Sequence, residues 1–111
     1  MIRSQALNSA KSVRQNLYDL ESQIKKYQSN GKSLEAKTLA GKAAKMSADY
    51  GVYDVAITAY DCLCSYYSYT DHQPYYYKLF SEKLSKYRRL YDQESDARSF
   101  YQDVSRTFDR Q

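Results

Sequence analysis

Three glycines and one proline are all the backbone punctuation in this 111-residue chain. A sheet protein of that length needs turn residues every few positions, and they are absent. Between the breaks, apolar residues return at every third or fourth position, the period that lines one face of a helix. Ala, Leu, Lys, Gln, Glu and Arg, the residues that lose least on entering a helix, are plentiful. The chain is therefore expected to be all-α, an antiparallel helical bundle of about four helices whose first and last members are long. The length suits one domain, able to bury a core without staples but too short for a large enclosed pocket.

The first stripe, Ile2, Ala6, Ala10, Val13, Leu17, Leu20, Ile24 and Tyr27, predicts a helix over about 3–29. It stops at "SNGK", where Asn30 and Gly31 accept the left-handed backbone that ends helices, and Ser33 with Glu35 opens the next. That second helix, about 34–48, carries Ala36, Ala40, Ala43 and Ala44. Small side chains let neighbours approach, so it reads as the inner helix of the bundle. "DYGVYD" ends it: Gly51 fits a cap, and Asp54 or a neighbour starts a third helix over about 53–69 with Val55, Ala56, Ala59, Tyr60 and Leu63 on its stripe.

The third break is "TDHQP". Thr70 or Asp71 reads as the cap of a fourth helix, about 74–109, whose first turn takes Pro74 without losing an intrahelical hydrogen bond. Its stripe runs Tyr76, Phe80, Leu84, Tyr87 and Tyr91, then, past the polar "DQESD" of residues 92–96, Ala97, Tyr101, Val104 and Phe108. Residues 92–96 read as an exposed stretch of one continuous helix; the alternative is a break, with Ser95 capping a short fifth helix.

Several classes of function find no support. His72 stands alone in a loop with no second histidine, so a metal site or a nucleophile-base pair lacks partners. "NGKS" lacks the first glycine and the preceding strand of a phosphate-binding loop and reads as a turn. Cys62 and Cys64 are two apart, about 200° on a helix, so they neither bridge nor chelate together. They read as small apolar residues, reduced as in a cytoplasmic protein. No enzyme activity and no cofactor are expected. No apolar run approaches the ~20 residues that cross a bilayer, so a soluble protein with no membrane span is expected. The acid-free opening "MIRSQALNSAKSVRQNLY" has the look of a transit peptide, but its helical pattern continues into acidic residues and it reads as part of the first helix.

Charge and aromatic content remain as clues. Residues 1–48 hold nine Lys or Arg against three acids, whereas residues 49–111 hold eight against ten. Tyr outnumbers Phe fourteen to three, and Trp is absent. Rings with a polar tip suit rims and grooves. Six of the tyrosines fall between residues 66 and 77. Tyr60, Tyr76, Tyr87 and Tyr101 lie on the apolar stripes and read as structural, while Tyr66, Tyr69, Tyr75 and Tyr77 fit them less well and read as surface residues.

The stretch "LAGKAAKMSADYGVYDVAITAYDCL" resembles a tetratricopeptide (TPR) repeat, with Ala44 at the helix crossing, Gly51 and Tyr53 in the turn, and Ala56 and Tyr60 on the second helix. It departs from that pattern at Ala40, Ser47 and Ser68, and has no second copy at the TPR period. Extended through "KLFSEKLSKYRRLYD", it is similar to a microtubule-interacting-and-trafficking (MIT) domain over about residues 35–92. Leu39, Ala43, Asp49, Tyr53, Ala56 and Tyr60 match the first run of that family, and Lys78, Lys83, Tyr87 and Arg89 fall in the third helix. Both resemblances imply TPR-like helical hairpins and a binding role: TPR domains take peptides on a concave face, MIT domains take tails into inter-helix grooves.

The expected function is accordingly that of a non-catalytic protein-protein interaction module, an adaptor or chaperone-type binder of a peptide or helix of another protein. Its candidate partner-binding residues are Tyr66, Tyr69, Tyr75 and Tyr77, flanked by Lys78 and Arg89. The alternative is a small basic nucleic-acid-binding helical protein, with Lys25, Lys26, Lys32 and Lys37 as anion-binding candidates continued by Lys42 and Lys45. Against it, the aromatic part of the chain is the acidic part. The long outer helices keep their seams for several heptads, which predicts a homodimer.

Overall fold

The computed structural model describes the backbone of residues 2–109 and the side-chain surroundings of residues 12–100. It is an all-α bundle of four helices: α1 (Ile2–Ser29), α2 (Ser33–Tyr50), α3 (Tyr53–Ser65) and α4 (Pro74–Asp109). Among the described residues there is no strand, and no helix is long and apolar enough to cross a membrane.

Two glycines set the hairpins. Gly31 and Gly51 adopt φ of 73° and 70°, a left-handed conformation that a Cβ disfavours. After α2, the Gly51 N–H donates to Ala48 O (3.4 Å) and the Val52 N–H to Ser47 O (2.9 Å); after α1, the Gly31 N–H donates to Gln28 O (3.2 Å) and the Lys32 N–H to Tyr27 O (2.8 Å). This paired pattern satisfies carbonyls that the helix end leaves open. The next helix follows at once, so consecutive helices lie antiparallel. Ser33 is the first residue of α2, not its cap; Lys32 and Val52 occupy the cap positions of α2 and α3 without a side-chain hydrogen bond. Asp54, in the first turn of α3, accepts from the Val55 N–H (3.0 Å) and the Tyr18 O–H (3.2 Å), tying α1 to α3.

The third helix is shorter than its stripe suggests. At Tyr66–Thr70 it widens into one π-helical turn, with the Asp71 N–H reaching back to Tyr66 O at 2.9 Å. The two adjacent rings at its start stay in contact: Tyr67 stacks on Phe80 (5.7 Å), and Tyr66 meets Tyr67 edge-on (5.1 Å). Neither Thr70 nor Asp71 caps α4. Pro74 is its first residue, so the carbonyl of Gln73 accepts the first helical bond, from Tyr77 N–H at 3.0 Å. Asp71 instead accepts from the Gln73 side chain at 2.9 Å. Residues 92–96 are helical throughout, without a break.

Helix α3 is innermost: it packs against α1, α2 and α4, whereas α2 packs against α1 and α3. That arrangement explains the cysteines. Although about 200° apart on their helix, Cys62 and Cys64 are both buried, at 3% and 7% exposure, because α3 is covered on opposite sides. The Ala36, Ala40, Ala43 and Ala44 face of α2 lets its neighbours approach closely, and Ser47 joins that face by donating its hydroxyl to Ala44 O at 3.1 Å. Helix α1 docks through Leu17 and Ile24, both fully buried; each such side chain contributes about 1.5–3 kcal/mol.

Candidate partner-binding groove

Helices α2 and α4 flank α3, and among the described residues no Cα of one comes within 8 Å of a Cα of the other. Between them runs a groove of about 620 Å³. Its α2 wall is made of Thr38, Gly41, Ala44 and Ala48, small residues that leave the helix backbone near the surface. Tyr60, Leu63 and Tyr67 form the floor, and Phe80, Lys83 and Tyr87 the α4 wall. Lys37, Lys42 and Lys45 on one side and Lys83 on the other give the rim a positive balance, with Asp49 as the acid among the lining residues.

The floor is a file of rings. Tyr87 stacks on Tyr60 with centroids 5.4 Å apart and planes at 6°, and Tyr60 meets Phe80 at 6.1 Å. Phe80 stacks on Tyr67, which stacks on Tyr76 at 5.1 Å. Tyr53 closes the other end against Tyr87 at 5.8 Å. Burial, then the neighbouring Tyr87 and Asp49, raise the Tyr60 phenol above its ordinary value, so it stays protonated. The Lys37 ammonium lies 5.5 Å from the Tyr66 centroid and 5.8 Å from that of Tyr67, and Lys86 lies 5.6 Å from Tyr87. Cations over ring faces hold the rim charges beside an apolar floor.

The residues singled out from sequence are spread over several surfaces. Tyr66 is half-buried and lines a smaller cleft with Gln28, Ala36, Cys62 and Tyr69. Tyr69 and Tyr75 are exposed at 81% and 73%. Tyr77, Lys78 and Arg89 share a shallow patch along α4 itself, away from the groove. Tyr76, read as structural, is exposed at its α4 position although it stacks on Tyr67. Tyr101 lies outside the residues whose side chains are described. Of the four anion candidates, Lys37 alone lines the groove. Lys25 pairs with Glu21 at 3.8 Å, Lys26 is exposed, and Lys32 sits 6.0 Å from the Tyr27 ring at the first hairpin.

Sequence reasoning named Tyr60, Phe80, Lys83 and Tyr87 but did not assemble them with Lys42 and Lys45. The available signal was the set of lysines around the Gly41 and Ala44 face; what faces them belongs to α4.

A second, smaller cleft of about 180 Å³ lies by the second hairpin, between Arg14 and Tyr18 of α1 and Tyr91, Glu94, Ser95 and Arg98 of α4. Its charges sum to zero, Arg14 and Arg98 against Asp54 and Glu94; Arg98 bonds Glu94 at 2.7 Å, and the Tyr18 hydroxyl donates to Asp54 at 3.2 Å. Among the described residues no three His, Cys, Asp or Glu side chains converge as metal ligands do. Burial first, then Asp61, pushes the Cys62 thiol up to about 11. Burial also raises Cys64, against a weak opposing bond from Ser81 at 3.7 Å. Neither thiol is poised as a nucleophile at neutral pH. Comparison with known proteins finds nothing similar: no protein-family model, no curated protein and no solved structure matches the chain.

Proposed function

We propose that this chain is a non-catalytic protein-interaction module, an adaptor or chaperone-type component, that takes an amphipathic helix or peptide of another protein into the α2–α4 groove. One observation carries the reading: two helices stand apart over a third, leaving a slot with an aromatic floor, a small-residue wall and lysines on both rims. A helix laid in that slot completes a four-helix layer around α3, burying apolar positions at i, i+3, i+4 and i+7. The sequence resemblance of about residues 35–92 to TPR and MIT domains supports this reading. The exposed rings Tyr69 and Tyr75, and Tyr66 beside Lys37, extend the surface where α3 turns into α4. No cofactor enters the reading, and the buried free thiols suit action in a reducing cytoplasm.

Nucleic acid is the weaker reading. Bases stack on open ring faces, but the groove rings spend theirs on one another: Tyr60 and Tyr87 are only 9% and 8% exposed.

A test is to select helical peptides from a random library on the wild type and titrate the winners against Gly41→Leu. Gly41 is exposed and a Cβ there meets nothing within 4 Å, so the new side chain fills the slot rather than the core. Loss of at least about tenfold in affinity is expected, the scale of a blocked anchor. Undiminished binding to Gly41→Leu moves the site elsewhere, and tight salt-sensitive binding of single-stranded oligonucleotides in place of peptides overturns the reading.

A further inference from the structure

The lysines of the groove carry charge that the chain leaves unmatched. Lys37, Lys42, Lys45 and Lys83 line it with Asp49, a balance of +3. Among the described residues the ion pairs are Lys25 with Glu21 and Arg98 with Glu94, and neither includes a groove lysine. Helical spacing gives the reason, because side chains on one helix meet at separations of three or four residues. None of the residues at those separations from Lys37, Lys42 or Lys83 is an acid; Lys45 alone has one, Asp49.

Shape narrows the occupant further. Thr38, Gly41, Ala44 and Ala48 follow one another by three or four along α2, a strip of about 15 Å at 1.5 Å per residue. A wall of small side chains leaves the bulk to be supplied by whatever lies against it. Beside that strip, Lys42 and Lys45 stand exposed one turn apart on α2, and Lys83 stands exposed on α4. Lys37 is half-buried, its ammonium over the Tyr66 and Tyr67 rings. A nucleic acid or a lipid headgroup answers the lysines but not the floor of Tyr60, Phe80 and Tyr87, and a neutral helix answers the floor but not the lysines. A helix whose apolar stripe is edged with carboxylates answers both.

We propose that the partner of the groove is an acidic amphipathic helix of another protein, with large apolar residues in one stripe and Asp or Glu along both edges of it. The inference rests on the reading that the groove receives a helix and specifies the chemistry of that helix. Carboxylates on one edge meet Lys42 and Lys45, and those on the other meet Lys83. An acid near the end of the stripe reaches Lys37. Rim pairs of this kind govern which partner is accepted and how fast it arrives more than they govern total affinity. The apolar stripe, set against Tyr60, Phe80 and Tyr87, supplies the larger share of the binding.

Three libraries of helical peptides, each of 18 residues like α2, test this with the full chain. Their apolar positions i, i+3, i+4 and i+7 are randomised among Leu, Ile, Met and Phe, and the flanking positions are fixed as Glu, as Gln or as Lys. On the wild type the best Glu-flanked peptides are expected to bind at least about tenfold more tightly than the best Gln-flanked ones, and the Lys-flanked library is expected to give no binder. Lys42→Glu with Lys45→Glu changes two exposed positions. It is expected to keep its helicity, to weaken the Glu-flanked winners about tenfold or more, and to prefer versions of them with Lys on the facing edge. The same charge change at Lys78 and Arg89, on the patch away from the groove, is expected to leave affinity within about twofold, because exposed charges beyond ~8 Å are largely screened at physiological salt. Equal affinities from the Glu library and either of the others, equal losses from the two reversals, or no recovery with the charge-swapped peptides overturns the proposal. If such binders still fail on Gly41→Leu, the groove reading stands without its charge rule; if no library yields a Gly41-dependent binder, both fall. Oligonucleotides or phosphatidylserine vesicles held by the groove lysines in place of peptides, or a Gly41-dependent dimer of the chain, give the groove to another occupant and also overturn the proposal.

Discussion

Tyr60 and Tyr87 stack nearly parallel, 5.4 Å between centroids and 6° between planes, and so join α3 to α4 beneath the groove. Both rings are at least nine-tenths covered, so the pair belongs to the core while it also lines the groove.

Removing either ring should therefore cost fold stability before it affects anything else. Tyr87→Ala is expected to lose about 3–5 kcal/mol, the range for deleting a buried aromatic side chain. A double-mutant cycle of Tyr60→Leu with Tyr87→Leu, read by urea unfolding, should return a coupling of about 0.5–1.5 kcal/mol. A coupling near zero means the rings are neighbours without mutual stabilisation.

Gly41 and Gly51 should respond to alanine with opposite signs. Gly41 sits inside α2 with open space around a Cβ, so Gly41→Ala should stabilise by about 0.5–1 kcal/mol through helix propensity. Gly51 holds φ at 70°, where a side chain strains the backbone, so Gly51→Ala should cost about 1–2 kcal/mol. Thermal melts of the two variants side by side check the pair; equal signs contradict the assignment of Gly51 to the left-handed cap.

The Cys62 thiol, raised from 9.0 to about 11, should be slow toward alkylation. In a Cys64→Ser background at pH 8, the thiolate fraction is about a hundredfold below that of a free thiol, and burial slows attack further. The folded chain holds this proton more tightly than the unfolded chain. Its contribution to stability is therefore complete below pH 9 and is lost as pH rises toward 11. Tyr60, raised above 10.0, acts in the same direction at still higher pH. Denaturation at pH 8, 9, 10 and 11 measures the trend, and a Cys62→Ala variant should flatten its first part.

The tyrosines around the α3–α4 junction should divide sharply. Tyr69→Ser and Tyr75→Ser remove rings that are 81% and 73% exposed and should shift stability by less than about 0.5 kcal/mol. Tyr67→Ser breaks two stacks, on Phe80 and on Tyr76, and should cost several times more. Chemical unfolding of the three variants under one condition decides it.

What the sequence determined by itself is local. Apolar spacing makes Leu17 and Ile24 inward-facing, Gly31 and Gly51 mark hairpins because they accept positive φ, and Pro74 opens a helix because it forfeits no bond there. Those signals act within a turn or two of backbone and are readable in one dimension. The burial of Cys62 together with Cys64, the π-helical turn from which Tyr67 reaches Phe80, and the placing of Lys83 across a groove from Lys42 and Lys45 were decided only in three dimensions. Each depends on how closely α2 and α4 approach α3 and at what rotation. Side-chain volumes on several helices set that approach jointly, and no stretch of one helix encodes it alone.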